Sequence, residues 1–233
     1  MGRTARNTDR AGTLTDGPGP VVVGILNVTP DSFSDGGDFL DPEAAAEHAA
    51  AMVDEGADVL DVGGESTRPG SDPVSQEEEI RRVVPVLERI LSVRPEGVIS
   101  VDTNRGGTAT AALEAGASLV NDVTALRGDP HMAPVVADAR CPVVLMHMQG
   151  EPKTMQSEPR YEDVVSEVEE TYENVNLGRR GPKSVLETVN ATSRPSGDIA
   201  AAVRPRVKRQ TSRPAESTRS MSTILSGLRF LWT

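Results

Sequence analysis

A long polar segment after the first apolar run of the chain carries groups that could hold a ligand. Residues 21–26 are apolar and rich in β-branched side chains, and residues 27–37 then combine an amide, hydroxyls, carboxylates and glycines. Ordering such a segment costs conformational entropy, and a strand is usually joined to the next helix by about 2–6 residues. The length and composition of this segment therefore favour ligand binding over an ordinary connector.

Polar residues also follow each later apolar run, so side chains that could do chemistry recur along the chain. They are Asp61 with Glu65, Asp102, Asn121 with Asp122, and His147, in addition to Asn27 in the first polar segment. Carboxylates accept hydrogen bonds from ligand N–H groups, and an asparagine amide both donates and accepts them. The recurrence raises the question of which fold would bring these groups together.

The apolar runs predict five buried strands, at residues 21–26, 59–64, 97–103, 118–123 and 142–148. Stretches with helical spacing separate them. Asp41 and Pro42 begin the first helix, while Ser75 and Glu78 form a capping box for the second. Pro85 lies inside that second helix, where we expect a kink. Three further predicted helices continue the alternation.

Strands that alternate with helices pair in parallel through right-handed crossovers, which leaves a β/α barrel or an open doubly wound sheet. In an open sheet only the strands beside the switch point need functional residues at their carboxyl ends, whereas a barrel brings every strand end around one mouth. Because all five predicted strands end on polar residues, the sequence favours a TIM-type β/α barrel with one shared pocket. About five of the eight βα units are recognisable over residues 21–177.

Composition limits the setting in which the protein works. The chain has 233 residues and one cysteine, Cys141, so we expect a reduced, cytoplasmic protein without a disulfide framework. Residues 1–20 are polar and predict a flexible arm rather than a secretory signal. No apolar run is long enough for a membrane span, so we expect no membrane partner.

The last part of the chain differs in character from the rest. Residues 1–175 hold 13 Lys or Arg against 32 Asp or Glu, whereas residues 176–233 hold 11 against 3. Residues 178–233 are crowded with Arg, Ser, Thr, Pro and Gly and predict a basic, disordered, low-complexity tail without strands. The abrupt change suggests a frame change or a wrongly placed gene end, which translation of the other reading frames would test.

Five long motifs in residues 21–170 resemble the dihydropteroate synthase family of folate biosynthesis. The motifs are GILNVTPDSFSDGG at 24–37, DVGGESTRPGSDPVSQEEEIRRVVPV at 61–86, ISVDT at 99–103, NDVTAL at 121–126 and LMHMQGEPKTMQ at 145–156. Several long segments in the right order are far more specific than one short pattern. The resemblance implies that the protein condenses a pterin methyl diphosphate with 4-aminobenzoate. It also implies that Mg²⁺ is a cofactor and that sulfonamides target the protein.

The resemblance also implies roles for single residues around the pterin. Asp102 would hold the pterin ring, Asn121 would bind the same ring through its amide, and Met146 would be the apolar floor beneath it. Asn27 would be the magnesium-associated residue near the diphosphate. Structural alternatives remain for all four: capping of the next helix or turn by Asp102 or Asn121, a core position for Met146, and loop anchoring by Asn27. For His147 a structural role is the stronger expectation.

Two polar loops complete the site that the resemblance implies. Thr67 would contact the substrate and Arg68 the diphosphate, although Arg68 could instead form a surface ion pair. The residues that would shape the aminobenzoate pocket are Thr29, Pro30, Asp31 and Phe33. Closing both loops would exclude water and stabilise developing charge. The amine substrate is itself the nucleophile, so no catalytic nucleophile is expected in the protein.

The sequence departs from the family after about residue 170. We find no Asp-Pro-Gly segment, no lysine on a following strand and no closing Arg-x-His in residues 178–233. A sheet of five units would also leave strand edges bare, which invites aggregation. We therefore expect poor solubility and little synthase turnover unless a partner fills the gap. The resemblance implies a homodimer formed through later helices, and those helices are absent from this sequence.

Two alternatives to a working synthase stay open. One is a pterin-binding fragment or pseudoenzyme, which ligand titration without turnover would identify. The other is an interaction protein that uses a basic cluster on nucleic acid or an acidic partner. That cluster comprises Arg179, Arg180, Arg204, Arg206, Lys208 and Arg209. No aromatic residue accompanies it, which argues against nucleic acid because base stacking would be lacking.

The acidic character of residues 1–175 generates a prediction about salt. Mutual repulsion among surface carboxylates destabilises the compact state, and salt screens that repulsion. We expect the unfolding midpoint to rise as potassium chloride is added. Thermal unfolding in a potassium chloride series checks this, and a midpoint that stays constant or falls would contradict it.

Overall fold

The computed structural model describes the part of the chain that carries most of the predicted strands and helices. Described are residues 20–29, 41–66, 73–152, 154–155 and 158–173, the single residues Ala11, Leu14 and Val175, and the backbone of residues 185–189, 202–203 and 228–229. Within these residues no helix is both long and apolar enough to cross a membrane.

Six parallel strands form one sheet in the order of the sequence, and a helix follows each of the first five. The strands are β1 (Val23–Asn27), β2 (Val59–Gly63), β3 (Ile99–Asp102), β4 (Leu119–Asp122), β5 (Val143–His147) and β6 (Val185–Val189). The helices are α1 (Pro42–Asp54), α2 (Gln76–Val93), α3 (Gly106–Ala115), α4 (Met132–Ala139) and α5 (Val164–Glu173). Helix α1 contacts α2, α2 contacts α3, and α3 contacts α4, as expected when right-handed crossovers lie on one face of a barrel-type sheet.

The sequence predicts five strands and a tail without strands, but the sheet has a sixth strand, which lies in the predicted tail. Strand β6 lies within residues 178–233 and pairs in parallel with β5, from Val143 opposite Val185 to His147 opposite Val189. A five-residue run with three apolar positions is a weak signal among Arg, Ser and Pro, but the free edge of β5 offers it a ladder of hydrogen bonds. Strands β7 (Ala202–Val203) and β8 (Leu228–Arg229) pair antiparallel. The other residues of the predicted tail lie outside the described residues.

The sheet is an incomplete barrel, as the sequence predicts. Strands β1 and β6 are its two edges, and no pairing joins them in the described part of the chain. Strand order from β1 to β6 without any reversal excludes the doubly wound alternative, which has a switch point. The predicted fold class is therefore confirmed, with six strands in the sheet rather than five.

The predicted caps account for where the first two helices begin. The Asp41 side chain accepts a hydrogen bond from the Glu43 amide at 2.9 Å, and Pro42 is the first helical residue. The Ser75 hydroxyl accepts from the Glu78 amide at 3.2 Å. Helix α2 continues through Pro85 to its end, and Pro85 lies on the exposed face, where its missing N–H costs least.

Two apolar clusters lie on opposite faces of the sheet because successive side chains of a strand alternate. The larger packs one face against the helices and includes Leu26, Val62, Ile90 and Val101. The smaller lies on the other face near the amino ends of the strands and consists of Ala11, Val21, Val59, Val98 and Leu119, with Leu14, Val23 and Val144 beside it. Ala11 and Leu14 belong to the predicted arm, whose remaining residues up to 19 lie outside the described residues.

Adjacent glycines at the end of β2 differ in the space around them. A Cβ atom on Gly64 would lie 2.8 Å from Val83 Cγ2 and 3.2 Å from the Glu79 carbonyl oxygen, whereas one on Gly63 would meet nothing closer than 3.5 Å. Gly64 thus allows β2 and α2 to approach closely. On the opposite face, a Cβ atom on Gly63 would make only ordinary van der Waals contacts.

This difference predicts opposite consequences for two matched substitutions. Gly64→Ala should lower the free energy of unfolding by about 1–3 kcal/mol because the methyl group overpacks the contact with α2. Gly63→Ala should change it little. Urea unfolding of both variants measures the difference, and equal stability of the two would contradict the packing argument.

Candidate functional site

The register of the sheet aligns four strand ends in one row. Asn27 lies opposite Gly63, Gly63 opposite Asp102, and Asp102 opposite Asn121. Neighbouring strands are about 4.8 Å apart, and residues in register project on the same face. The row therefore presents Asn27, Asp102 and Asn121 side by side, with the bare backbone of Gly63 between the first two.

Gly63 opens the space between an amide and a carboxylate. The position that a Cβ atom would take on Gly63 lies 3.6 Å from Asn27 Oδ1 and 3.6 Å from Asp102 Oδ2. Any side chain at this position would project between them. Two oxygen acceptors therefore flank a backbone surface that a ligand can approach closely.

Asp61 lies two residues before Gly63 on the same strand and orients Asn121. Its Oδ2 accepts a hydrogen bond of 2.8 Å from Asn121 Nδ2. With one N–H of its amide bound to Asp61, Asn121 keeps its carbonyl oxygen and its second N–H for a ligand. Asp61 has no role in the site that the sequence predicts; a carboxylate inside an apolar strand is the signal that could indicate one.

The carboxyl groups of Asp102 and Asp61 are costly to ionise, because they are buried and lie near other carboxylates. Burial raises the pKa of Asp102 well above its ordinary value, and the charges of Asp61, Asp122, Glu79 and Glu65 raise it further. Burial also raises the pKa of Asp61, while the Ser100 hydroxyl and the Asn121 amide act in the opposite direction. Unlike Asp61, Asp102 has no hydrogen-bond partner among the described residues, so its carboxyl group remains available to a ligand.

Asp122 and His147 do not join this row, which corrects the expectation that all the polar strand ends share one pocket. Asp122 directly follows Asn121, and His147 directly follows Met146. Asn121 and Met146 are on the face of the row, and successive side chains of a strand project on opposite faces. Asp122 and His147 therefore face the helices instead.

Asp122 organises the turn after β4. Its Oδ1 accepts from the Thr124 amide and hydroxyl, both at 2.7 Å, and its Oδ2 accepts from the Leu126 amide at 3.0 Å. These bonds hold Ala125 and Leu126 at φ values of 52° and 62°, a region that non-glycine residues rarely occupy. Burial raises the pKa of Asp122, and the hydrogen bonds from Thr124 and Leu126 lower it.

His147 fastens β5 to α5, in keeping with the structural role expected for it. Its Nδ1 lies 2.7 Å from Thr171 Oγ1, which in turn donates to the Glu167 carbonyl, so Nδ1 carries the proton. Burial lowers the pKa of His147, which favours the neutral ring. Its ring also contacts that of Tyr161, with centroids 5.6 Å apart.

The remaining predicted site residues divide into two groups. Met146 lies two residues after Val144, which is opposite Asn121, so it is on the face of the row, and it is half-buried. Thr29 follows β1 and is buried. Pro30, Asp31, Phe33, Thr67 and Arg68 lie outside the described residues.

An incomplete β/α barrel with a row of acceptors at the carboxyl ends of its strands defines a small-molecule binding domain of the type that barrel enzymes use. The sequence model described as "Pterin binding enzyme" matches residues 23–177. The chain belongs to this pterin-binding enzyme family.

Relatives agree with that membership. Dihydropteroate synthase of Escherichia coli is 50% identical over 157 residues, which are 67% of this chain and 55% of that protein. The Bacillus subtilis dihydropteroate synthase is 52% identical over 132 residues, 56% of this chain and 46% of that protein. The chain thus spans about half the length of these relatives.

Solved structures give the same result. A Xanthomonas albilineans dihydropteroate synthase with 4-aminobenzoic acid superposes with a TM-score of 0.61 at 47% identity, over 73% of this chain and 61% of the other. A Yersinia pestis dihydropteroate synthase in a sulfonamide drug complex gives 0.60 at 47% identity, over 66% and 55%. The family model, which matches residues 23–177, covers the row of strand ends described above.

The clustered carboxylates predict a pH-dependent gain in stability from Asp102→Asn. Folding raises the pKa of the Asp102 carboxyl group from its ordinary value of 3.8. Its contribution to stability is therefore fully present at a pH below 3.8 and is lost as the pH rises through the folded-state pKa. At pH 7 the variant should therefore be more stable than the wild type by about 1 kcal/mol or more.

Urea unfolding over a pH series measures the effect, with Asp54→Asn on the surface of α1 as the control. The gain from Asp102→Asn should shrink towards zero as the pH falls below 4, and the control should show no comparable gain. A variant that is less stable than the wild type at pH 7 would contradict the electrostatic account.

Proposed function

We propose that this chain binds a (7,8-dihydropterin-6-yl)methyl diphosphate and takes part in its condensation with 4-aminobenzoate to 7,8-dihydropteroate and diphosphate. The observation that carries the proposal is that the Asp102 carboxyl group, which has no hydrogen-bond partner among the described residues, lies beside an Asn121 amide whose orientation Asp61 fixes. A pterin edge offers adjacent N–H donors to such acceptors. Membership of the pterin-binding family supports the choice of ligand.

The reaction needs positioning more than covalent help. The aromatic amine attacks the methylene carbon, a C–N bond forms, and the C–O bond to diphosphate breaks. The amine nitrogen then loses a proton, and the diphosphate leaves with the electron pair. The substrate supplies the nucleophile, so the work of the protein is to hold the two reactants in line and to stabilise the leaving charge.

Asp102 and Asn121 would recognise the pterin ring, and Met146 would pack against it. Hydrogen bonds from ring N–H groups favour the charged form of a carboxyl group. A ligand with such donors would therefore offset the repulsion that the Asp61 and Asp122 charges impose on Asp102. The site would therefore prefer a ring with N–H donors over an aromatic ring without them.

Asn27 would lie at the diphosphate end of the same row. Its neutral oxygen lies 3.6 Å from the position that a Cβ atom would take on Gly63, and Mg²⁺ takes few protein ligands when it can bind phosphate oxygens and water. The described residues contain no group of three or more His, Cys, Asp or Glu that could hold a metal ion. The Asn27 oxygen is a hard ligand that fits an Mg²⁺ ion shared with the substrate, and such an ion would neutralise part of the diphosphate charge.

The two polar loops would supply the remaining contacts. We propose that Thr67 and Arg68 bind the diphosphate side of the substrate, and that Thr29 and its neighbours Pro30, Asp31 and Phe33 shape the aminobenzoate pocket. A Yersinia pestis relative has been solved with a sulfonamide drug. By analogy, a sulfonamide would compete with 4-aminobenzoate here, and the single buried Cys141 supports a reducing cytoplasm as the setting.

A pteroate-formation assay tests the proposal on the full 233-residue chain. Formation of 7,8-dihydropteroate by the wild type from the pterin diphosphate and 4-aminobenzoate in the presence of Mg²⁺, even at the low rate expected from the sequence, would support a part in the condensation. Asp102→Asn should reduce kcat/KM by about 100-fold or more, because a charged acceptor contributes about 1.5–3 kcal/mol per hydrogen bond and here would accept two. Turnover of Asp102→Asn at the wild-type rate would refute the assignment of this site.

Binding without turnover is the second candidate. Residues 178–233 carry none of the three later segments that the family resemblance calls for. A pterin titration followed by ligand fluorescence separates the candidates: saturable binding that Asp102→Asn abolishes, with no pteroate formed, identifies a pterin-binding protein. Absence of both binding and turnover would rule out both candidates.

A further inference from the structure

We infer that Arg105 is a positioning residue that holds the two anchors of the connection between β2 and α2. Arg105 lies after β3, outside the row of strand ends, and the site described above does not include it. Its guanidinium group pairs with Glu65, at the β2 side of this connection, and Nη2 donates to the Val74 carbonyl, at the α2 side, over 2.9 Å. One side chain therefore spans the connection.

A buried carboxylate fixes the guanidinium group in turn. Arg105 Nη1 donates to Glu79 Oε2 at 2.9 Å, and the Thr108 hydroxyl donates to the same oxygen at 2.7 Å. Glu79 is only 1% exposed. A buried carboxylate without its cation is strongly destabilising, so the guanidinium group is held in place.

A planar guanidinium group is required for this arrangement. Arginine presents five donors in a rigid fork, which can serve two carboxylates and a carbonyl at once. Lysine carries a single ammonium group. It could neutralise Glu79 but could not reach Glu65 and Val74 with the same geometry.

A second arginine adds to the β2 side of the connection. Arg82 Nη1 donates to the Gly64 carbonyl at 3.0 Å, and Arg82 Nε donates to Glu78 at 2.8 Å. Residues 64 and 65 are thereby tied to helix α2 and to the segment after β3. The anchors of the connection are fixed by side chains on two different elements.

The functional consequence rests on the proposed function. Thr67 and Arg68, proposed above to bind the diphosphate side of the substrate, lie in sequence between the anchors Glu65 and Val74. Because a misplacement of about 1 Å can lower a rate about 100-fold, Arg105 should affect diphosphate affinity without touching the ligand.

Hydrogen exchange followed by mass spectrometry tests the anchoring directly on the full chain. Arg105→Gln should accelerate amide exchange at residues 64–66 and 74–76 by about tenfold or more, since charged hydrogen bonds are lost from both anchors. Arg94→Gln is the matched control: it removes the surface ion pair between Arg94 and Asp54, and exchange at both anchors should stay at the wild-type rate. Wild-type exchange in Arg105→Gln would overturn the inference.

Titration with Mg²⁺ and inorganic diphosphate supplies the second readout. Arg105→Lys should recover most of the melting temperature lost in Arg105→Gln, because it neutralises Glu79, yet leave diphosphate affinity lowered by about tenfold. Recovery of both by lysine would reduce Arg105 to a counter-ion and overturn the inference. Should Arg105→Gln not fold, Glu65→Gln removes one anchor and spares the pair with Glu79, and faster exchange at residues 64–66 alone is then the expected result.

The two readouts separate this inference from the proposed function. If the wild type binds no diphosphate, the proposed function fails and hydrogen exchange alone decides the role of Arg105. Faster exchange at both anchors would then support it, and unchanged exchange would overturn it.

Discussion

Alternation of side chains along parallel strands is the constraint on which the rest of the structure depends. Residues in register across β1 to β4 project on one face, and one step along any strand transfers a side chain to the other. Asn27, Asp102 and Asn121 therefore form a row, whereas Asp122 and His147 face the helices. Polarity alone does not distinguish the two groups, but their position in the register does.

The face that carries the row also carries a conflict between binding and stability. Below the row the same face is apolar, with Val21, Val59, Val98 and Leu119 closing the amino ends of the strands. Above it, Asp61 and Asp102 lie close enough for each charge to disfavour the other. A fold selected for stability alone would replace one of them, so the retained carboxylates mark a site that stability alone does not explain.

Ionic interactions outside the row contribute to the same arrangement. Glu79 on α2 and Arg105 after β3 form a partly buried pair, and Glu65 and Val74 join it from the two sides of one connection. Such pairs are weak evidence of stability because desolvation offsets much of their attraction. Their geometry is informative instead, since it fixes the relative position of three separate elements.

Much of the fold follows from local sequence, and most of the omissions are non-local. Asp41, Pro42 and Ser75 mark helix starts through contacts within three residues, and the strands β1 to β5 are β-branched runs; both were predictable. Strand β6 is not predictable from its five residues alone, because it is stabilised mainly by pairing with β5. The bond between Asp61 and Asn121 joins residues 60 positions apart, and the role of Arg105 depends on three elements at once, so neither could be predicted from spacing.

The most direct test of the central claim is a crystal structure of the 233-residue chain with a pterin. The account predicts the ring above Gly63, with its N–H groups donating to Asp102 and its edge within hydrogen-bond distance of Asn121, about 2.7–3.2 Å. A pterin bound away from the row, or one that leaves Asp102 without a ligand contact, would contradict the account.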